Sequence, residues 1–219
     1  MSKNILIGSL LFILGAVVAV IFTVWRLPAV TRSVITKKQQ VSVAKNQFSL
    51  EEAPSDSIRG TITSLSGGVW WVSRVATAPA LLTKHIIVQQ GDTLIASDEG
   101  KLTIQFASAS AVMLAPQSEV DIVQTLPINL VFHQPKGSVQ YTVSGTHPVS
   151  VRSLNMIVHI GSGLLTIDTD PETGDIVLSQ KEGSATIAYN SPAFISKVWE
   201  LTPGDTFEYS SVERRGYFR

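Results

Sequence analysis

From residue 58 onward the chain alternates. Leu102, Ile104 and Phe106 are separated by Lys101, Thr103 and Gln105; Val120 and Ile122 by Glu119 and Asp121. Val139, Tyr141 and Val143 alternate with Ser138, Gln140 and Thr142, and Ala185, Ile187 and Tyr189 with Ser184, Thr186 and Ala188. A period of two places alternate side chains on opposite faces of an extended chain, so each run predicts a half-buried strand. Turn formers punctuate the runs: Gly91–Asp92, Asp98–Glu99–Gly100, Pro135–Lys136–Gly137, Gly145, Gly161–Ser162–Gly163, Gly174, Gly183 and Pro203–Gly204. The interval is about ten residues, the rhythm of a sandwich, barrel or solenoid. The expected fold is an all-β domain over residues 58–209, a two-layer sandwich or solenoid-like roll of about a dozen or more short strands.

The first quarter reads differently. "ILIGSLLFILGAVVAVIFTVW", residues 5–25, is an uncharged apolar run. At 1.5 Å per residue it matches the roughly 30 Å hydrocarbon layer, and Trp25 and Arg26 suit an interface. It is longer than a signal-peptide core and no small-x-small cleavage site follows, so an N-terminal transmembrane helix is expected after a cytoplasmic tail of residues 1–4. Gly8 and Gly15 fall seven apart on one face of that helix, a weak pairing signal. Residues 26–57 are polar and mixed, basic first and acidic later, and read as a juxtamembrane tether. Residues 210–219, ending "ERRGYFR", read as a C-terminal tail, with a docking peptide or lipid contact as the alternative.

Charge counting gives an orientation. Lys3 precedes the span, whereas Arg26, Arg32, Lys37, Lys38 and Lys45 follow it. The positive-inside rule alone puts the large domain in the cytoplasm.

Composition narrows the chemistry. The formal net charge is +0 and 16% of residues are charged, so nothing suggests a nucleic-acid partner. With no cysteine, disulfides, thiolate metal sites and cysteine catalysis are excluded. The nucleophile, phosphate-loop, dinucleotide and zinc-protease motifs are missing. His85, His133, His147 and His159 stand apart, without the spacing of a zinc site. "DTDPETGD" is the densest acidic cluster. Asp168, Asp170, Glu172 and Asp175 partly follow a calcium loop, but the glycine comes one place late and position twelve is not glutamate. A hairpin turn accounts for it, with calcium as the alternative. Glu119 and Asp121 share a strand face and read as solvent-facing. In "GGVWWV", Trp70 and Trp71 point to opposite faces. Both are expected to be buried between layers, an exposed tryptophan platform being the alternative, with Trp199 as a packing neighbour. No cofactor, metal or catalytic residue is assigned, and no enzyme activity is expected; a wall-polymer-binding or hydrolytic protein is the weakest reading.

The spacing of common residues resembles the FecR domain family of bacteria over residues 58–208. Gly91 and Asp92 match its Gly-Asp. Leu102, Ile104 and Phe106 match its first strand, Ser110 the serine of Asp-Gly-Ser, and Val112 and Leu114 the next strand. Pro116 and Ser118 match Pro-x-Ser, followed by Val120 and Ile122. Further on, "KGSVQYTV" resembles its Gly-x-Val strand. Val149, Val151 and Ser153 resemble Phe-x-Val-x-Thr. "GSGLLTI" stands at Gly-Thr-x-Phe, Glu182 and Gly183 at a Glu-Gly hairpin, and "LTPGD" at the closing Leu-x-x-Gly. Ser108 and Ala109 depart from Asp-Gly. The resemblance implies an extracytoplasmic, non-catalytic domain that contacts other envelope or membrane proteins as a binding or scaffold module, with the N-terminus inside, against the charge count. The family's sigma-binding cytoplasmic segment is not matched by residues 1–4, so that role is not implied. The ectodomain of a signalling system acting through a separate partner is the alternative.

Overall fold

The chain divides into two units, Met1–Gln47 and Phe48–Arg219. A computed structural model describes residues 53–76, 78–106, 110–144 and 147–219, all within the second. The predicted span at 5–25, most of the tether, Ser108, Ala109 and Gly145 lie outside the described residues. Among the described residues no helix is long and apolar enough to cross a membrane.

The described body is all-β. Its first strands are β1 (Gly60–Ser66), β2 (Val69–Val72), β3 (Ala80–Leu81), β4 (Ile87–Val88) and β5 (Thr93–Ala96). Next come β6 (Lys101–Phe106), β7 (Ser110–Leu114) and β8 (Glu119–Leu126). β9 (Asn129–Val143), β10 (Val149–Ser153), β11 (Met156–Asp170) and β12 (Asp175–Asn190) follow. β13 (Ser196–Leu201), β14 (Thr206–Ser210) and β15 (Arg215–Phe218) complete the chain. Every apolar residue of the four alternating runs is buried, from Leu102 to Tyr189. That burial, at about 25 cal/mol per Å² of apolar surface, is what drives the period-two sequence into a sheet.

The strands are not all short. β9, β11 and β12 span 15, 15 and 16 residues, and each changes sheet partners midway. The first half of β9 lies between β8 and β10; its second half lies between β7 and β11. The start of β11 pairs with β10, and its remainder with β9. The start of β12 pairs with β14, and its end with β13. Two layers result, sharing these three strands. One runs β3-β2-β5-β8-β9-β10-β11-β12-β13 and the other β4-β1-β6-β7-β9-β11-β12-β14-β15.

Contacts across the layers show how sharply the long strands fold back. Phe132 and Tyr141 lie nine residues apart on β9, about 30 Å along a straight strand, yet their ring centroids are 5.8 Å apart. Tyr189 lies 4.6 Å from Tyr209, and the Ser153 and Thr169 hydroxyls meet at 2.7 Å. Three punctuation signals are therefore corners inside strands rather than reversals between them: 135–137 in β9, 161–163 in β11 and 182–183 in β12. At the last two, Gly163 faces Gly183 across the ladder. Gly163 has φ +100°, and a Cβ there would meet the Glu182 carbonyl oxygen at 1.7 Å, so no side chain fits the corner. The architecture is a two-layer sandwich whose layers are joined by bent strands.

Candidate functional site

The residues that carried the sequence resemblance have architectural work. Asp92 is fully buried and its Oδ2 accepts the Gln89 N–H at 2.8 Å, closing the turn before β5. Burial raises the Asp92 pKa, while the Gln89 amide, the Trp71 indole and Arg74 pull the other way. Oδ1 and the Trp71 Nε1–H are both buried and make no well-aligned hydrogen bond. Ser118 is fully buried beside the β9 corner. Its hydroxyl donates to the Ser138 carbonyl at 2.8 Å and accepts the Ser138 N–H at 3.0 Å. Gln134 reinforces that corner by donating to the Gly137 and Ile167 carbonyls and accepting from the Tyr141 hydroxyl. Burial pushes the Tyr141 phenol up. Ser110 and Ser153 are buried too, and Asp205 ties the closing turn through the Thr202 N–H at 2.7 Å.

The acidic cluster forms the turn of the β11–β12 hairpin, as expected. Asp170 Oδ1 accepts the N–H groups of Glu172 and Thr173, which hold its carboxyl below the usual range. This hairpin tip borders a groove of about 910 Å³ that also takes in Asp98, Gln117 and Lys136. Among the described residues no group of three or more histidines and carboxylates is placed to hold a metal.

His133 on β9 and His159 on β11 alternate with buried neighbours and so lie on the outer face of one layer. His133 Nδ1 meets Asp121 Oδ2 at 2.8 Å, and the other Asp121 oxygen accepts from Thr93 Oγ1 at 2.6 Å. His159 contacts Ser150 at 3.1 Å, and His147 the Pro127 carbonyl at 2.7 Å. Glu119 pairs with Lys136 at 3.5 Å. In the Thr93–Asp121–His133 group the carboxylate, not the imidazole, is the central member between hydroxyl and ring. That order does not activate a hydroxyl nucleophile, which needs a base beside it.

Trp71 packs against the core, but Trp70 is 44% exposed. The expectation that both are buried is corrected: β2 lies in an outer layer with one wet face, where Trp70 stands across from Leu81. Trp199 does not join them. It meets Phe218 edge-on at 5.9 Å and donates to Tyr189 Oη at 3.4 Å. Residues 215–218 accordingly form a strand, β15, where the sequence suggested a tail. Phe218 supplies the reason, packing on the buried Phe207 at 5.2 Å. Tyr217 donates to Glu208, which holds the phenol above its usual range, and Arg219 meets the same carboxylate at 3.0 Å.

Among the described residues the two layers thus end on one side in the edge strands β13 and β15, with Trp199 and Phe218 in the seam between them. Trp199 is 42% and Phe218 43% exposed. Val198 and Tyr217 are exposed beside them. This seam, missed in the sequence except for Trp199, is an accessible aromatic feature on the C-terminal side.

No protein-family model matches the chain, and no curated protein matches it. Among solved structures, two crystal structures of a candidate anti-sigma factor from Parabacteroides distasonis ATCC 8503 are similar, each at TM-score 0.50 and 12% identity. Each match covers 58% of this chain and 58% of the other, so the likeness spans little more than half of either protein. At that identity it is a likeness of fold.

Proposed function

We propose that the chain is a membrane-anchored, extracytoplasmic FecR-like protein whose β body binds another envelope protein and performs no catalysis. The observation that carries this reading is the use of the resemblance residues. Gly91, Asp92, Ser110, Pro116 and Ser118 stand in turns, corners and buried positions rather than around a reactive centre. A sequence pattern spent on shape suits a body whose product is a rigid surface. The fold likeness to a candidate anti-sigma factor adds weight to a signalling setting, in which the ectodomain passes an envelope signal through a separate partner. The edge strands support the binding role, since unpaired ladder groups are a template for another strand.

The test is capture after in vivo cross-linking. Full-length chain carrying an affinity tag is cross-linked in cells, solubilised in detergent and purified. The proposal expects one envelope protein to be enriched over a control carrying only residues 1–57. Enrichment of a cytoplasmic protein instead would refute it.

A further inference from the structure

The seam at the β13–β15 side has enough detail to describe what fits it, and this step rests on the protein-binding role proposed above. β13 pairs only with β12 among the described elements. The Ser191 N–H donates to the Ile195 carbonyl at 2.9 Å, which sets the phase of that ladder. Alternation then turns the backbone groups of Ile195, Lys197 and Trp199 toward β12, and those of Ser196, Val198 and Glu200 outward. The side chains alternate too. Trp199 and Lys197 lie opposite the buried Ile187 and Tyr189, so they share the inner face, above Phe218. Lys197 is exposed and no ion pair is formed by it among the described residues.

We infer that β13 accepts an extended strand from the partner protein, carrying a carboxylate opposite Lys197 and an apolar side chain two residues away, opposite Trp199. In an antiparallel addition the pairs at 197 and 199 are the non-hydrogen-bonded ones, with Cα atoms about 4.5 Å apart and side chains closest. The carboxylate meets the ammonium there, and the apolar residue covers the Trp199–Phe218 seam.

A second copy of this chain fits less well. A two-fold axis must pass through one residue pair, because hydrogen-bonded and non-hydrogen-bonded pairs alternate along the ladder. Centred on Lys197, two ammonium groups face each other. Centred on Val198, Lys197 faces the Trp199 of the copy; centred on Trp199, Glu200 faces Val198. No symmetric register brings Glu200 opposite Lys197. An inward-pointing lysine on an edge strand is itself a device against self-pairing.

The probes are two blocked peptides, Ser-Val-Thr-Val-Thr-Glu-Thr-Ser, in which the valine two residues before the glutamate falls opposite Trp199 when the glutamate is opposite Lys197, and the same sequence with lysine in place of glutamate. Full-length protein in detergent is titrated with each, and backbone amide exchange is followed. The inference expects the glutamate peptide to slow exchange at Val198 and Glu200. Lys197→Glu should weaken that peptide about five-fold or more and restore binding to the lysine peptide. The substituted site is exposed, so the variant's melting curve should match the parent's. Protection elsewhere, no binding of either peptide, or affinity indifferent to Lys197→Glu overturns the inference. So does concentration-dependent protection of β13 without peptide, which would mean self-pairing. An envelope partner still captured by Lys197→Glu at the parent's yield would keep the binding role and remove β13 from it; capture of none would sink the role itself.

Discussion

Ser118 shows what a small polar residue does in this chain. Its single hydroxyl satisfies both the N–H and the carbonyl of Ser138 at the bend of β9. Alanine would leave both groups with one partner fewer, a loss of about 1–3 kcal/mol. Urea unfolding of Ser118→Ala in detergent checks this; an unchanged midpoint would mean the corner holds itself. Asp92 makes a second case. Its folded pKa is raised above the reference value of 3.8 by burial. A carboxyl raised in this way gives stability that is fully present below its unfolded pKa and is lost as pH rises through the folded one. Wild type should therefore lose stability relative to Asp92→Asn as pH rises past 3.8 and through the raised folded value. A difference that does not change with pH would contradict the burial account.

The element scale is where the sequence was hardest to read. Alternation located the buried faces of β6, β8, the second half of β9 and the end of β12 because period two depends only on neighbouring residues. It could not show that β9, β11 and β12 continue through their glycines. A glycine between two alternating runs signals a reversal or a corner equally well, and the choice depends on which distant strands pair with each half. Gly163 and Gly183 settle as a corner because they meet each other. Gly163→Ala should cost at least about 2 kcal/mol, since φ +100° and the Glu182 carbonyl both oppose a Cβ. A melting temperature within error of the parent would show that the corner is slack. The last strand was hidden for a related reason. Arg215–Phe218 is short, and its place in the sheet rests on its pairing with β14 and on Phe218 packing against Phe207, neither visible locally in the sequence. The acidic hairpin turn, by contrast, was legible, because Asp, Pro and Gly act through their own backbones.

At the scale of the whole molecule, the described residues form a two-layer body whose layers end, on the C-terminal side, in the edge strands β13 and β15. The residues in "GDTLIASDEGKLTIQFASASAVMLAPQSEVDI" that the structure describes supply turns, buried faces and a corner clamp, which is why the stretch lacks obvious chemistry. The edge seam was illegible because its two aromatic members, Trp199 and Phe218, come from strands that meet only through the bend of β12. The account places this body outside the cytoplasmic membrane, against the count of basic residues after the apolar run at 5–25. One measurement tests that most directly: alkaline phosphatase and green fluorescent protein fused separately after Arg219 in a bacterial host. The account predicts active phosphatase and a dark fluorophore; bright fluorescence with inactive phosphatase would put the body in the cytoplasm and contradict it.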